Sequence, residues 1–194
     1  TKTLEAVHQL LDYVATHPDA AIKYLASDMI LNVHSDASYL SEHNARSRAA
    51  GHFFLVNKDN RQLENGPILT LSTIIRHVMA SASEAELAAL FYNSKASLPL
   101  RVTWQEMGHV QPPTPVTTDN STAHGLTTKS MIPKTSKAMD MRFHYLKCRE
   151  AQRNFRYLWQ RAHTNRADFH TKRHSTKHYM AKQGDYVIDM RKQQ

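Results

Sequence analysis

A single cysteine, Cys148, occurs in the 194-residue chain, so no internal disulfide can form, and such usage suits a reducing compartment. Glycines number five, and none of them builds a phosphate-cradling glycine-rich loop. No hydrophobic run has the length and purity of a membrane span, and no signal peptide opens the chain. Internal repeats and low-complexity tracts are also missing. These absences argue against a disulfide-stapled secreted scaffold, a glycine-loop nucleotide site and a helical membrane protein.

What the chain does have is a hydrophobic fraction of 41%, enough for one globular domain with an appendage, and a net charge of +8. Residues 129–194 carry 16 Lys/Arg against 5 Asp/Glu, whereas residues 1–128 carry 9 against 12. A basic half joined to a mildly acidic one suggests a polyanionic partner such as nucleic acid; a solvated basic face is the alternative. Thr1 rather than Met opens the chain, as expected for a piece of a longer polypeptide.

Leu4, Val7, Leu10, Leu11 and Val14 repeat at helical spacing, and His17-Pro18 stops that helix. Strands are expected over 29–36, 49–57 and 68–71, the last two separated by a polar turn and Gly66-Pro67, which together suggest an antiparallel meander. A helix, bent or in two parts, should run from Ser81 to about Ser97 with Leu87, Leu90 and Phe91 on its apolar face. Pro99 lies just beyond it, and a separate short helix is expected through Trp104 to Met107. Gln111 to Pro115 reads as a stiff linker. A strand over 116–119 precedes a helix start at Asn120 to Leu126. Ser136 can cap a helix carrying Met139, Phe143, Leu146 and Glu150. Residues 155–159 form another strand, Asn165 to Phe169 open a final helix, and residues 179–194 read as a loose polar tail. Phe143 and Trp159 are expected in the core.

In this order four carboxylates take distinctive places. Asp36 ends the first strand, Glu86 lies in the first turn of the next helix, Asp119 ends the fourth strand and Asp168 begins the last helix. An unpaired carboxylate closing a core strand needs a cation, a helix terminus, a turn or a metal. If the strands bearing Asp36 and Asp119 are parallel neighbours, their side chains converge at the carboxyl ends of the sheet. Clustered carboxylates repel unless cations intervene, and hard divalent ions take oxygen ligands. Each acid taken alone also suits a turn, a capping box or a helix dipole. Glu84 and Glu86 each follow a serine by three residues. If Ser81 is the cap, Glu84 closes the box, and Glu86 shares a face with Leu90 and turns toward the sheet.

His170, His174 and His178 stand four apart and would line one helical face, a possible zinc half-site or simply a basic helix end. Cys148 has no histidine arrangement around it that would make it a nucleophile.

Five stretches, HSDASYLSE (34–42), SASEAELAAL (81–90), TTDNSTA (117–123), SKAMDMRFHYL (136–146) and NRADFHTK (165–172), together resemble the ribonuclease H domain of copia-type LTR retrotransposon polyproteins. The resemblance covers roughly residues 28–178. Residues 1–27 resemble the helical segment that joins it to the polymerase part, and 179–194 would be the tail. It implies an α/β fold with a ribonuclease H-like five-stranded mixed sheet flanked by helices. It also implies hydrolysis of the RNA strand of RNA–DNA hybrids with two Mg²⁺ ions, for which Mn²⁺ could substitute. The family's four acids fall on Asp36, Glu86, Asp119 and Asp168, as catalytic and metal-binding residues. Its loop histidine, active in turnover, would fall on His163, with Arg161 standing where a proline is usual and Arg166 where leucine is frequent. Asn120 and Ser121 would touch substrate, with helix capping as the alternative. The charge asymmetry, rather than the resemblance, assigns Arg149, Arg153 and Arg156 of the basic half to the phosphates. The implied partners are an RNA–DNA hybrid and the reverse transcriptase part of the same polyprotein, without a membrane. The implied location is intracellular and cytoplasmic, including retrotransposon particles. A catalytically silent or domesticated nucleic-acid-binding module is the competing reading.

Overall fold

The computed structural model describes residues 2–59, 65–127 and 137–190, with backbone only at residues 2, 126 and 137–140. Its elements are α1 (Lys2–Thr16), β1 (Ala20–Ala21), β2 (Ile30–Glu42), β3 (Arg46–Val56), β4 (Pro67–Ile74), α2 (Ala82–Glu106), β5 (Thr114–Thr118), α3 (Ser121–Thr127), α4 (Lys137–Ala151), β6 (Phe155–Trp159), α5 (Thr176–Lys182) and β7 (Ile188–Asp189). By its contacts the chain falls into two units, residues 26–174 and residues 1–25 together with 175–194.

In the smaller unit the short β1 and β7 pair antiparallel, Ala20 facing Asp189. Tyr13 packs edge-on against Tyr179 at 5.7 Å, and Gln183 Nε2 donates to the Tyr13 hydroxyl at 3.2 Å. The segment after residue 178, expected as a loose tail, therefore carries a helix and a strand over its described residues.

The larger unit is built on one mixed sheet in the order β4-β3-β2-β5-β6. The first three strands form the antiparallel meander, while β5 runs parallel to β2 and β6 parallel to β5. This is the five-stranded mixed sheet flanked by helices. Its core joins Leu31, Val33 and Phe53 of the meander to Leu87 and Leu90 of α2, Val116 of β5, Phe143 and Leu146 of α4, and Phe155 and Tyr157 of β6. Ile30 to Val33, Asn32 included, are buried without a break because β2 lies in the middle of the sheet.

Near its middle, helix α2 is held to the meander by Asn93. Asn93 Nδ2 donates to Ser35 Oγ and to the Ala50 carbonyl, both at 2.8 Å. This approach needs Gly51, because a Cβ there would collide with Asn93 Oδ1. Asn93 and Glu86 are seven residues apart, two helical turns, so the contact that docks the helix also aims Glu86 at the sheet.

Several element boundaries differ from the sequence-based expectations. Helix α2 runs unbroken through Pro99 to Glu106, where a stop and a second helix were expected. A proline costs a helix its backbone donor, but the residues around it are packed. Ser97 is buried and its hydroxyl donates to the Asn93 carbonyl at 2.7 Å, and Arg101 Nη1 donates to Thr114 Oγ1 at 2.6 Å. The stiff linker ends earlier than expected, since Thr114 and Pro115 already belong to β5. Ahead of them the Gln111 carboxamide bonds β2 directly, accepting from Leu31 N–H at 3.0 Å and donating to the Met29 carbonyl at 2.8 Å. No helix opens at Asn165; the chain makes a single 3₁₀ turn, Asp168–His170. Phe143 is buried as expected, whereas Trp159 is 49% exposed. Ser136 and the Met139 side chain lie outside the described residues.

A candidate metal centre at the fork of the sheet

Strand β2 does not end at Asp36. It continues to Glu42, paired with β3, and Asp36 lies opposite Ala50. What ends is its partnership with β5, which pairs with β2 only at Val33 and His34. The sheet forks there. Asp36 stands two residues past the last parallel pair on one prong, and Asp119 directly follows β5 on the other. The parallel neighbours thus bring the two aspartates together, at the carboxyl end of β5.

Glu86 enters the fork from α2. Ser81 is the helix cap, its hydroxyl accepting from Glu84 N–H at 3.1 Å, and the Glu84 carboxylate accepts from Ala80 N–H at 2.7 Å. Glu84 is thereby occupied at the helix start, and Glu86 is buried, with 6% exposure. Its Oε1 accepts from Ala37 N–H at 3.2 Å, and its Oε2 from the Thr118 hydroxyl at 3.4 Å. One carboxylate oxygen each of Asp36, Glu86 and Asp119 lie within 4.8 Å of one another.

The fourth acid comes from the turn after β6. Asn165 is buried, donating through Nδ2 to the Ser35 carbonyl at 2.9 Å and accepting at Oδ1 from Ala167 N–H at 3.1 Å. Arg166 N–H donates to His34 Nδ1 at 3.1 Å. The Ser38 hydroxyl donates to the Thr171 carbonyl and the Ser72 hydroxyl to the His170 carbonyl, both at 2.8 Å. These side chains hold residues 165–171 against β2 and β4 where no backbone ladder does. Asp168 lies within this strapped turn and accepts from Lys172 Nζ at 2.9 Å.

The electrostatics follow from the crowding. Burial, then the charges of Asp119 and Asp168, push Asp36 up to about 7, against the opposing Thr171 and Lys172. Burial, Asp36 and Asp119 raise Glu86 well above the usual carboxylate range. Burial, with Asp168 adding to it, also raises Asp119. Lys172 is raised by its bond to Asp168 and by the other two aspartates. Beside the cluster, burial lowers His34 to about 4 and His52 to about 3. Buried carboxylates that raise one another are ionised together only when a cation neutralises them. The donor set of Asp36, Glu86 and Asp119 is oxygen alone, without sulfur or imidazole, and fits a hard divalent cation such as Mg²⁺ or Mn²⁺.

The other expected residues fall elsewhere. Asn120 caps α3, its Oδ1 accepting from Ala123 N–H at 2.9 Å, and the adjoining Ser121 is exposed. His163 is exposed on the Ala162–Thr164 turn and makes no hydrogen bond or ion pair among the described residues. Arg149, Arg153 and Arg156 flank the start of β6, with Arg149 over the Tyr145 ring at 5.0 Å. Arg156 is level with Pro115, four residues from Asp119, which is about 13 Å along the strand. These arginines therefore lie toward the opposite end of β5 and β6 from the carboxylates. The three histidines share no helix. His170 ends the 3₁₀ turn and His178 belongs to α5, while His174, in irregular backbone stacked on Phe169 at 5.1 Å, brings a ring nitrogen within 4.8 Å of an Asp168 carboxylate oxygen. Cys148 is exposed.

Four contributors were not singled out from the sequence. Lys172 was signalled only by its ion-pair spacing of four from Asp168. Thr118 and Asn165 carry no spacing signal, because their partners come from distant segments. Trp159 reads as a core residue, yet its indole N–H donates to the Asp119 carbonyl at 2.8 Å at an exposed strand end.

No protein-family model matches the chain. The chain is 27% identical over 168 residues to the retrovirus-related Pol polyprotein from transposon TNT 1-94 of Nicotiana tabacum, a match covering 87% of this chain and 12% of that polyprotein. Among solved structures it is similar to RNase H1 LC11 in complex with an RNA/DNA hybrid, with a TM-score of 0.53, 12% identity, and coverage of 73% of this chain and 93% of that one. It is also similar to the N-terminal RNase H domain of a Mycobacterium tuberculosis protein, solved fused to maltose-binding protein, with a TM-score of 0.51, 12% identity, and coverage of 74% and 91%. At these identities the structural likeness establishes the fold, and the sequence match adds a similarity to one part of a transposon polyprotein: the chain has a ribonuclease H fold and resembles the corresponding stretch of that polyprotein.

Proposed function

We propose that this chain is a divalent-metal-dependent endonuclease that hydrolyses the RNA strand of RNA–DNA hybrids, working as part of a copia-type retrotransposon polyprotein. The observation that carries the reading is the convergence of Asp36, Glu86 and Asp119 within 4.8 Å at the fork of a ribonuclease H sheet. The hybrid bound by the similar LC11 enzyme supports the substrate class. The likeness to a transposon Pol polyprotein supports an adjoining reverse transcriptase part as partner; the reading carries with it an intracellular, cytoplasmic setting that includes retrotransposon particles. Among the described residues no helix is long and apolar enough to cross a membrane.

In this reading Asp36, Glu86, Asp119 and Asp168 hold two Mg²⁺ ions, with Mn²⁺ as a substitute. Bound there, the ions supply Lewis-acid stabilisation of the attacking and leaving oxygens. The chain's own residues set the geometry. Ala37 N–H and Thr118 fix the Glu86 carboxylate, and Trp159 fixes the backbone at Asp119. Asn120 and Ser121 lie next to the site for contact with the strand being cut. His163, exposed ahead of Asp168, assists turnover without holding metal. Arg149, Arg153 and Arg156 take phosphates further along the duplex.

Incubation with a labelled hybrid tests the reading. Cleavage of the RNA strand is expected with Mg²⁺ and none with EDTA. Asp36→Asn should lose about 4 kcal/mol of transition-state stabilisation, roughly a thousandfold in rate. Wild-type rates from Asp36→Asn would remove the metal-site assignment. The competing reading, a non-catalytic binding module, expects hybrid binding without Mg²⁺-dependent cleavage. In either case affinity should fall with salt at a slope of about −0.9 per phosphate neutralised, and alanine at Arg149, Arg153 and Arg156 should flatten it.

A further inference from the structure

Lys172 is a cation already inside the carboxylate cluster. Its Nζ is 2.9 Å from Asp168 Oδ1, and its charge also acts on Asp36 and Asp119. An ordinary surface ion pair at this spacing contributes little, because two long side chains must be ordered to form it. Here the backbone beneath the pair is held in advance. The carbonyls of His170 and Thr171, the two residues before Lys172, are tied to Ser72 and Ser38, and Asn165 ties the start of the turn to β2. The lysine side chain itself remains 53% exposed, so it can swing into solvent without disturbing the turn. Glu86, on the far side of the cluster, takes no comparable charge from Lys172. Of the four carboxylates, Asp168 is thus the one ion-paired to the lysine, while Asp36, Glu86 and Asp119 make no ion pair with it.

Resting on the two-ion reading above, we propose that Lys172 is a built-in counter-cation that competes with a divalent ion for Asp168. The two ions then bind in order and with unequal affinity. The first goes to Asp36, Glu86 and Asp119. The second takes Asp168 only when the ammonium leaves, and the displaced lysine, still rooted beside the site, is free to meet the phosphate of an arriving strand. Lys172 is in this sense a positioning residue: in the metal-free protein it keeps Asp168 from being expelled by the other acids, and it makes full metal loading easier with substrate than without.

The test is calorimetric titration of the full chain with Mn²⁺, without nucleic acid, in wild type, Lys172→Met and Lys172→Arg. Methionine keeps the length of the side chain and removes the charge. A tight and a weak step are expected in wild type. In Lys172→Met the weak step should tighten about fivefold while the tight one stays put, and Lys172→Arg should follow wild type. A second readout needs no metal. At pH 8 in EDTA, Lys172→Met should melt below wild type, and adding Asp168→Asn should restore the midpoint. Identical weak steps in wild type and Lys172→Met, or an unchanged metal-free midpoint, would overturn the proposal and leave the nuclease reading standing. Failure of the wild type to bind any Mn²⁺ would instead remove the metal reading and this inference with it.

Discussion

Glu86 reaches the cluster from near the start of a 25-residue helix whose sheet-facing side is buried, whereas Asp168 reaches it from a single 3₁₀ turn. On the first side, position comes from packing: Asn93 against Gly51, Leu87 and Leu90 in the core, a cap at Ser81. On the second it comes from a handful of side-chain hydrogen bonds to main-chain atoms, those of Asn165, His34, Ser38 and Ser72. Packing is cooperative and shared among many residues, so the helix side should tolerate chemical change at Glu86 but not a steric change beneath α2. Individual polar straps are few and local, so the turn side should fail locally, with little effect on the rest of the domain.

The largest effect should come from Glu86→Gln, which leaves the packing and removes a charge. Mg²⁺-dependent cleavage is expected to fall about a thousandfold with the thermal midpoint unchanged or raised. Glu84→Gln, two residues away at the cap, should keep full activity and lose at most about 1 kcal/mol. A dead Glu84→Gln beside an active Glu86→Gln would show that α2 presents the opposite face. Next in size is Gly51→Ala, which forces a methyl group against Asn93. Denaturant unfolding should show a loss of about 3 kcal/mol, and an unperturbed midpoint would mean that α2 is not seated by this contact. Asn165→Ala strands the Ser35 carbonyl and the Ala167 N–H, at about 2 kcal/mol in total. Global stability should fall by less than that, because the turn can open on its own, while the affinity of the weaker Mn²⁺ site drops. A global loss as large as that of Gly51→Ala would erase the distinction between the two sides.

The smallest effect is one of pH and sharpens the comparison on the packed side. Asp36 is lifted from 3.8 to about 7 in the folded protein, so the fold holds its proton more tightly than the unfolded chain does. Stability of the metal-free protein from this group is therefore retained below about pH 4 and lost progressively toward pH 7. His34 and His52 act in the opposite sense. Their folded values of about 4 and about 3 lie below 6.5, so stability is lost as pH falls and these residues take up protons in the unfolded state. The two contributions overlap, and a single pH–stability curve would mix them. The difference between Asp36→Asn and wild type isolates the first. In EDTA that difference should grow in favour of asparagine from near zero at about pH 4 and level off above about pH 7, and Mg²⁺ should reverse it. A difference independent of pH would mean that Asp36 is neither buried nor held among like charges.

The contrast also separates what could be read from the sequence from what could not. The meander, α2 and β5 announce themselves through runs such as Phe53 to Val56 and through the Ser81 cap, and these are the elements that carry Asp36, Glu86 and Asp119. The Ser81–Glu84 box was legible because capping is local. Ala167, Asp168 and Phe169 are compatible with a helix, so local sequence points to one at Asp168; the actual turn depends on Asn165 reaching Ser35, 130 residues earlier. Pro99 misled in the reverse direction, since a local rule against proline was overridden by the buried Ser97 and Arg101. Trp159 was assigned to the core on residue type, although it sits at a strand end where the sheet runs out. The arginines at 149, 153 and 156 were grouped by charge, and the register of β5 with β6 puts them toward the other end of the strands from the acids.

The fork in the sheet has one more effect. Past His34, β2 has lost its parallel neighbour, so an amide that would have faced β5 needs another acceptor. Glu86 Oε1 is that acceptor for Ala37. For one residue a side chain thus takes the part of an absent strand, and it has done so from a helix, across the layer. The acid is then a piece of β architecture as well as a source of charge. Glutamine at position 86 keeps an oxygen for this amide and alanine does not. The two substitutions, both expected to abolish cleavage, should part in hydrogen exchange at Ala37, where only the shorter side chain leaves the strand open to an intruding chain.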